Sequence, residues 1–367
     1  MFYEDNSDKV ELLISFCIAA YKRTDITLEL VRELLSVEDN RFEVVICDDK
    51  SDDGGLEEYK KIKDARLKIY ENHKNLGGYL NICETLDKGE GQYLFYVNDR
   101  DNVDVFKVKK LLSLIPTLLR ENVTFARCDS GFPPDADLHI FAEGEKAILE
   151  FGCRITHPTG YIFERNEWRN TERRRFFESQ EYGIYAFSIV CALQGRRHKG
   201  AILHGDICDV KRARIDFKKE KSGFYKNRKN KYIWYTPEAI YIELKVILHF
   251  MREYNFDDTI VEKCFIKRYK EYLQMVTVGY KEKLMQEANT IHYGLRPPES
   301  NLEVAVRCIR NKIILKNNIK KLIKNSSESV LLIEIERVEH ENKAEIMDYI
   351  IKELLDWIIG NNYKWNL

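Results

Sequence analysis

Two pairs of aspartates follow apolar runs of the kind that form buried strands. Asp48 and Asp49 come directly after the run VVIC, and Asp99 and Asp101 come soon after the run YLFYV. Carboxylates are hard oxygen donors that bind Mg²⁺ or Mn²⁺ together with substrate phosphates, and they also accept hydrogen bonds from a base or a ribose. The residue types therefore suggest a site for a nucleoside diphosphate and a divalent cation. The alternative is that each pair lies in a solvated turn.

These aspartates need a scaffold in which both strands end at one edge. Apolar runs of strand length alternate with helical patterns, and the connecting loops are a few residues long. The predicted strands are 11–20, 44–47, 67–70, 93–97 and 123–126, and the helices between and after them include one over 105–119 that is interrupted at Pro116 and one over 144–151. This order is typical of a parallel sheet with right-handed crossovers. Open α/β sheets bind ligands at the carboxyl ends of their strands, which is where the aspartates lie.

The composition limits the classes of partner. The 367 residues include 59 Lys and Arg against 60 Asp and Glu, so the net charge of −1 gives no reason to expect nucleic acid. No apolar run approaches the roughly 20 residues that span a bilayer, and the first residues lack the order of a secretory signal. The nine cysteines without C-x-x-C spacing argue against a disulfide framework or a zinc site. We therefore expect a protein of the cytoplasm, either free or peripheral at the membrane.

Three segments resemble motifs of the family 2 glycosyltransferases. Residues 14–23 (ISFCIAAYKR) resemble the opening VSVIIPTYNR strand of the family, residues 43–53 (EVVICDDKSDD) are similar to EIIVVDDGSTD, and residues 89–101 (GEGQYLFYVNDRD) are similar to KGEYILFLDDDD. All three match in order and spacing. The resemblance implies a GT-A (Rossmann-like) α/β fold with a mainly parallel sheet sandwiched by helices. It also implies the transfer of a sugar, with inversion, from a nucleotide sugar, with a UDP-sugar as the first expectation.

The resemblance assigns nucleotide-binding residues at the ends of the first two strands. Ala19 and Tyr21 are expected to line the base pocket, with Tyr21 packing on the ring, and Arg23 is included in the same site. Asp49 is expected to bind the uracil or the ribose, and Asp48 lies beside it.

The same resemblance assigns a metal motif. Asp99 and Asp101 fill a D-x-D pattern that implies Mn²⁺ or Mg²⁺, and Asp99 and Arg100 are also counted among the nucleotide-binding residues. A strict alignment places Arg100 where many members have the metal-binding aspartate, whereas a subgroup with SDED has its acids at the positions of Asp99 and Asp101. In the first register Arg100 would itself neutralise phosphate. The segment departs from the family again at Ala19-Ala20, where Pro-Thr is usual, and at Lys22, where Asn is usual.

The sequence signals for the acceptor site are less specific than those for the nucleotide site. Residues 155–165 (ITHPTGYIFER) resemble the strand below the family's acceptor site, which would bring His157 near the reaction centre; the alternative is a histidine satisfied in a turn. An inverting transferase needs a carboxylate as general base, and the Glu-Asp pair that supplies it in the family is missing. Glu181 is the first candidate and Glu178 the second, and their spacing of three predicts one helix face for both. Each could equally be a solvated helix residue.

The rest of the chain predicts a lid and a helical appendage. The basic segment 196–231 is expected to close over the donor pyrophosphate, with single-stranded nucleic acid or plain solvent as its alternative partners. We expect a GT-A domain over 1–232 and a mainly helical region over 233–367, with an apolar stripe from Ile240 to Met251 and a last helix over 344–359. The run at 330–333 is ambiguous between strand and helix. The helical faces are available to pack on the first domain or on a second copy of the chain, as a homo-oligomer.

Three functions are therefore in competition. The first is a metal-dependent glycosyltransferase that acts on a hydroxyl of a glycan, a glycoprotein or a lipid-linked acceptor. The second is a nucleotidyltransferase, although residues 19–23 lack the glycines of its phosphate loop. The third is a partner that kept the fold and lost the chemistry, which Arg100 and the missing Glu-Asp pair would explain.

Overall fold

The computed structural model describes residues 11–129, 137–152, 158–179, 181–204, 208–209, 236–276, 280, 301–324, 333, 335–338 and 340. The chain divides into two compact units, Met1–Asn227 and Arg228–Leu367. The predicted domain boundary at 232/233 lies outside the described residues. So do most of the basic segment, residues 330–332 and the helix predicted over 344–359. These expectations stay predictions.

The first unit is built on an eight-stranded sheet in the order β3-β2-β1-β4-β8-β6-β9-β7. Two short strands, β5 and β10, form a separate antiparallel pair. The strands are β1 (Ile14–Ala20), β2 (Phe42–Asp48), β3 (Leu67–Glu71), β4 (Tyr93–Asn98), β5 (Asn102–Val103), β6 (Val123–Asp129), β7 (Leu138–Phe141), β8 (Tyr161–Glu164), β9 (Lys199–His204) and β10 (Cys208–Asp209). Within the large sheet only β8 and β7 run against the other six strands, so the expected mainly parallel sheet is confirmed.

Helices connect the strands and cover the sheet. In the first unit they are α1 (Thr24–Leu35), α2 (Gly55–Lys60), α3 (Gly78–Asp87), α4 (Val105–Arg120), α5 (Glu145–Ala147), α6 (Arg165–Asn170), α7 (Arg174–Glu178) and α8 (Ala186–Gly195), with a π-helical turn at Ile148–Gly152 and a 3₁₀ turn at Gly183–Tyr185. In the described part of the second unit they are α9 (Pro237–Glu253), α10 (Asp258–Gln274) and α11 (Asn301–Lys324).

Alternation along the strands explains why helices lie on both faces of the sheet. Phe16 and Phe95 belong to the main core with the apolar faces of α1 and α4, and their ring centroids are 5.3 Å apart. The next residue after Phe95, Tyr96, contacts Phe187 of α8, with centroids 5.5 Å apart. Because successive strand side chains point to opposite faces, β4 is buried on both sides.

The strand order creates a switch point between β1 and β4. From β1 the chain moves outward to β2 and β3, and it then returns to place β4 on the other side of β1. The loops that leave β1 and β4 therefore diverge, and a crevice opens between them at the carboxyl edge. Arg23 follows β1 and Asp99 follows β4, so both lie at this crevice.

One predicted helix differs from the structure. The helix over 105–119 was expected to be interrupted at Pro116, but α4 runs through this proline without a break. Ile115 and Leu118 on either side of it are fully buried in the core. Packing of this apolar face outweighs the hydrogen bond that the proline cannot donate.

The second unit carries the predicted apolar stripe on α9. Thr236 caps the helix by accepting a hydrogen bond from the Ala239 N–H, and Pro237 occupies the first turn. The stripe is buried at Ile240, Leu244, Ile247, Leu248 and Met251. Among the described residues, no helix has the length and apolar character that a membrane span requires.

Candidate active site

Asp48 closes the turn in which it lies. Its carboxylate accepts hydrogen bonds from the Ser51 N–H at 2.8 Å and from the Ser51 hydroxyl at 2.7 Å. The Lys22 N–H donates to the same hydroxyl oxygen at 3.0 Å, which links this turn to the loop after β1. Burial raises the pKa of the Asp48 carboxyl above its usual range. Asp48 therefore shapes the edge of the site.

Asp49 organises the loop that leads into α3. One carboxylate oxygen accepts from the Leu76 N–H and the Asn72 side-chain amide, both at 2.8 Å, and the other accepts from the Gly77 N–H at 2.9 Å. Gly77 has φ of +84°, a left-handed conformation that favours glycine. A carboxylate offers about four acceptor positions, and three are used by these donors. A base or ribose donor would take the fourth.

Two asparagines that were not predicted as site residues complete this corner. Asn72 donates to the Asn81 side-chain oxygen at 2.9 Å. The Asn81 amide donates in turn to the carbonyls of Cys47 at 3.2 Å and Ala20 at 3.4 Å. The network therefore ties the ends of β1 and β2 to Asp49. No sequence motif marks these residues, although Asn81 lies on the buried face of α3.

Arg23 and Asp99 form an ion pair across the switch point. One guanidinium nitrogen of Arg23 lies 2.9 Å from both carboxylate oxygens of Asp99. The Asp99 side chain is 2% exposed and that of Arg23 is 14% exposed. The pair is thus largely removed from water. An ionic hydrogen bond is stronger in such a buried position than at the surface.

Thr159 connects Asp101 to the end of β4. Its hydroxyl donates to a carboxylate oxygen of Asp101 and accepts from the Asn98 N–H at 2.9 Å. The Asp101 side chain is fully buried. Thr159 lies in the segment that resembles the strand below the acceptor site. The resemblance marked this segment, but it did not predict the contact between Thr159 and Asp101.

The donor set at Asp99 and Asp101 fits a divalent cation. Two buried carboxylates are the hard ligands that Mg²⁺ and Mn²⁺ prefer. The described residues contain no group of three or more His, Cys, Asp or Glu placed to hold a metal. Phosphate oxygens and water would therefore have to complete the coordination, as is usual for Mg²⁺. A cation that binds Asp99 would compete with Arg23 for this carboxylate.

The candidate bases lie at the end of α7 and in the turn after it. Glu178 is the last residue of α7, and Ser179 is extended, so the predicted single helix face for Glu178 and Glu181 is wrong. Glu178 is half exposed and pairs with Arg174 at 2.9 Å. Glu181 is exposed in the turn, where its N–H donates to the Ser179 hydroxyl at 3.2 Å.

A tight contact places the Glu181 turn against the start of α3. A Cβ added at Gly183 would lie 2.8 Å from a ring carbon of Tyr79, so any larger residue there would force the turn or the ring to move. Tyr79 is two residues after Gly77, which donates to Asp49. The turn is therefore packed on α3, the helix that directly follows the two backbone N–H donors of Asp49.

The other predicted residues lie at the same edge where the structure describes them. Ala19 pairs with Cys47 of β2 and Asn98 of β4 in the sheet register. Tyr21 is half-buried, and the Lys22 ammonium lies 5.4 Å from its ring centroid. The Arg100 N–H donates to the Asn98 side-chain oxygen at 3.4 Å. His157 lies outside the described residues.

Comparison with known proteins agrees with this architecture. Residues 15–136 match the family described as glycosyl transferase family 2. A protein of Escherichia coli, named as UDP-Glc:alpha-D-GlcNAc-diphosphoundecaprenol beta-1,3-glucosyltransferase WfaP, is 31% identical over 116 residues. That match covers 31% of this chain and 44% of the relative, so it spans less than half of the relative's length. The matched residues include the stretch that carries the three motifs, as the resemblance predicts.

Solved structures extend the likeness beyond this stretch. The structure of S. aureus TarS 1-349 aligns with a TM-score of 0.50 at 14% identity and covers 84% of this chain and 92% of that chain. The same protein in complex with UDP-GlcNAc aligns with the same figures. At this identity the likeness shows a shared fold, and the expected GT-A fold is confirmed.

Proposed function

We propose that this chain transfers a sugar from a nucleotide sugar, most simply a UDP-sugar, to a hydroxyl group of an acceptor. The observation that carries the proposal is the meeting of Asp49, Asp99 and Asp101 at one edge of a mainly parallel sheet, with Arg23 across the switch point. The family match favours glycosyl transfer over nucleotidyl transfer. The choice of UDP is supported by the donor in the name of the E. coli relative and by the UDP-GlcNAc complex of TarS.

The nucleotide would bind at the carboxyl edge of the sheet through two sets of contacts, one to its base and ribose and one to its pyrophosphate. Tyr21 packs on the base, and the fourth acceptor position of Asp49 takes a base N–H or a ribose hydroxyl. Arg23 follows β1 and Arg100 follows β4, and their guanidinium groups would neutralise the pyrophosphate between them. Asp99 and Asp101 would hold Mg²⁺ or Mn²⁺, which would supply further positive charge for the nucleoside diphosphate as it leaves.

The reaction needs one base and one leaving group. In the proposed mechanism the carboxylate of Glu181 removes the proton of the acceptor hydroxyl, and the oxygen attacks the anomeric carbon from the face opposite the phosphate. The bond from that carbon to the phosphate oxygen breaks, and the nucleoside diphosphate leaves with the electron pair. The new glycosidic bond therefore has the inverted configuration. Glu178 is a weaker candidate because it is already paired with Arg174.

For the acceptor we propose a lipid-linked glycan, with a free glycan or a glycoprotein as the other classes. The support is the name of the E. coli relative, whose acceptor is a GlcNAc-diphosphoundecaprenol. We accordingly propose that the protein works in the cytoplasm or at the membrane periphery.

A transfer assay tests the proposal. The purified full chain would be incubated with Mn²⁺, a panel of radiolabelled UDP-sugars and acceptors of the three classes. We expect transfer from one donor, with inversion. Glu181→Gln should lower turnover by about 10²–10⁴-fold without changing donor affinity, because it keeps size and hydrogen bonding but loses basicity. Glu178→Gln is the matched control and should stay active.

Each other outcome has a definite meaning. Inactivity of Glu178→Gln with an active Glu181→Gln would move the base to the end of α7. Full activity in both variants would exclude both glutamates and make His157 the next residue to test. Tight binding of a nucleotide sugar without transfer to any acceptor would favour the non-catalytic partner. The ion pairs of Asp99 with Arg23 and of Glu178 with Arg174 also favour that alternative.

A further inference from the structure

One face of α11 is exposed along its length and has an unusual composition. Wherever the structure describes burial within this helix, the exposed positions follow a spacing of four, three, four and four residues. They form one stripe: Val306, Arg310, Ile313, Asn317 and Lys321. Positions with this spacing lie on a single helix face. The stripe therefore combines aliphatic and cationic side chains and contains no acidic residue.

The opposite face fixes the helix in its unit. Five residues on that side are buried, with exposures of 1% or less: Val304, Cys308, Leu315, Ile319 and Ile323. The apolar side chains on this face of the helix are thus buried inside the protein. Even so, Val306 and Ile313 remain 54% and 55% exposed on the outer stripe. Exposed aliphatic side chains can enter a membrane interface, and cations one turn away can meet anionic headgroups at the same time.

The charge of the helix points to an anionic partner. α11 contains seven Lys and Arg and one acid, Glu303. Glu303 pairs with Arg307 at 2.7 Å. Elsewhere in the unit Glu336 pairs with Lys320 at 3.1 Å. Arg310 and Lys321 on the stripe itself are exposed, so the stripe presents positive charge to its surroundings.

We infer that the stripe of α11 docks the protein onto an anionic lipid surface. Arg310 and Lys321 meet lipid phosphates, while Val306 and Ile313 enter the boundary between headgroups and acyl chains. Single-stranded nucleic acid is disfavoured because α11 has no aromatic side chain on which a base could stack. A second copy of the chain is disfavoured because a two-fold contact would set this cationic face against itself. The inference assigns a membrane-contacting face to the location proposed above, and it does not depend on sugar transfer.

Vesicle flotation of the full chain tests the inference. The probes are vesicles of phosphatidylcholine alone and vesicles with added phosphatidylglycerol, at low and at physiological salt. Wild type should float with the anionic vesicles only, and less at the higher salt. One basic residue near an anionic surface is worth about fivefold in partitioning. Arg310→Glu/Lys321→Glu should therefore lower binding by about 25-fold or more, and Val306→Ser/Ile313→Ser should lower it several-fold.

The control reverses two exposed lysines of the first unit. Lys63→Glu/Lys68→Glu makes the same change in net charge away from α11 and should bind like wild type. Circular dichroism of every variant checks that the helices are intact.

Equal losses of vesicle binding in the control and in the α11 variant would overturn the inference, as would equal binding to both kinds of vesicle. Light scattering that shows a dimer lost in Arg310→Glu/Lys321→Glu would assign the stripe to a second copy. A stripe-dependent shift of an oligonucleotide without flotation would assign it to nucleic acid. Neither result depends on sugar transfer.

Discussion

Asp49 and Asp99 are both buried aspartates at the sheet edge, but they face different partners. Asp49 accepts hydrogen bonds from two backbone N–H groups and one side-chain amide, whereas Asp99 faces the guanidinium of Arg23. The first arrangement fixes a loop and leaves an acceptor position for a ligand. The second joins opposite charges that a cation and a pyrophosphate would have to separate. The two residues should therefore respond differently to substitution.

Asp49→Ala should weaken UDP binding by about one to two orders of magnitude. A buried donor left without its partner costs roughly 1–3 kcal/mol. The loss of Asp49 should also release the Leu76 and Gly77 amides, which should then exchange their hydrogens faster. Calorimetry measures the first effect and hydrogen exchange the second. Asp52→Ala is the control, because Asp52 is 77% exposed and pairs with Lys22. An unchanged dissociation constant in Asp49→Ala would move the nucleotide elsewhere.

Arg23→Met should tighten the binding of Mn²⁺ in the absence of nucleotide, because Asp99 is then no longer held by a guanidinium. Hydrogen bonds to a charged group contribute about 1.5–3 kcal/mol, so the gain should be about tenfold or more. The same variant should bind UDP more weakly. The spin-resonance signal of free Mn²⁺ measures the first effect. Lys22→Met, a neighbouring cation paired with Asp52, is the control. Weaker Mn²⁺ binding in Arg23→Met would show that Arg23 does not compete with the cation.

At the level of elements, local pattern predicted where strands and helices lie but not how they end. The alternation of β1 to β4 with α1 to α3 could be predicted because each element follows its neighbour in sequence and in space. The extended conformation of Ser179, which separates Glu178 from Glu181, has no such local signal. Thr159 could not be recognised either, because its partners Asp101 and Asn98 are about sixty residues away in the chain.

Gly183→Ala should disturb the turn that carries Glu181 and lower the transfer rate with little change in UDP affinity. The added methyl would meet the Tyr79 ring at 2.8 Å, and overpacking of this kind costs about 1–3 kcal/mol. Steady-state kinetics and calorimetry separate the two effects. Tyr79→Ala in the same chain should restore part of the rate. Gly195→Ala, where the nearest atom is an ordinary 3.4 Å away, is the control. A fully active Gly183→Ala would remove the turn from the site.

At the scale of the whole molecule, the sequence predicted a parallel sheet but not the order and direction of the strands beyond β4. β8 lies antiparallel between β4 and β6, and β7 pairs antiparallel with β9 at the edge. These pairings join segments far apart in the chain, so no local pattern specifies them. They matter for the site because the turn before β8 carries Thr159 to Asp101.

The packing of the whole molecule predicts which thiols react. The structure describes the burial of seven of the nine cysteines, and all seven are buried thiols. Burial raises the pKa of the Cys47 thiol to about 12. At pH 8 only about one molecule in 10⁴ then carries the thiolate, which is the reactive form. With a thiol reagent at this pH, at most two cysteines should react quickly in the native protein, and all nine should react in denaturant. Rapid reaction of more than two would contradict the described core.

Calorimetric titration of UDP into the full chain, with Mn²⁺ and with chelator, tests most directly whether the sheet edge is a nucleotide site that shares a cation. Wild type should bind UDP more tightly with Mn²⁺. In Asp101→Ala the affinity should be the same with and without the ion, because one of the two cation ligands is gone. Asp52→Ala should behave like wild type. If UDP does not bind in either condition, or if Asp101→Ala keeps the full response to Mn²⁺, then the nucleotide and its cation do not bind at this edge as proposed.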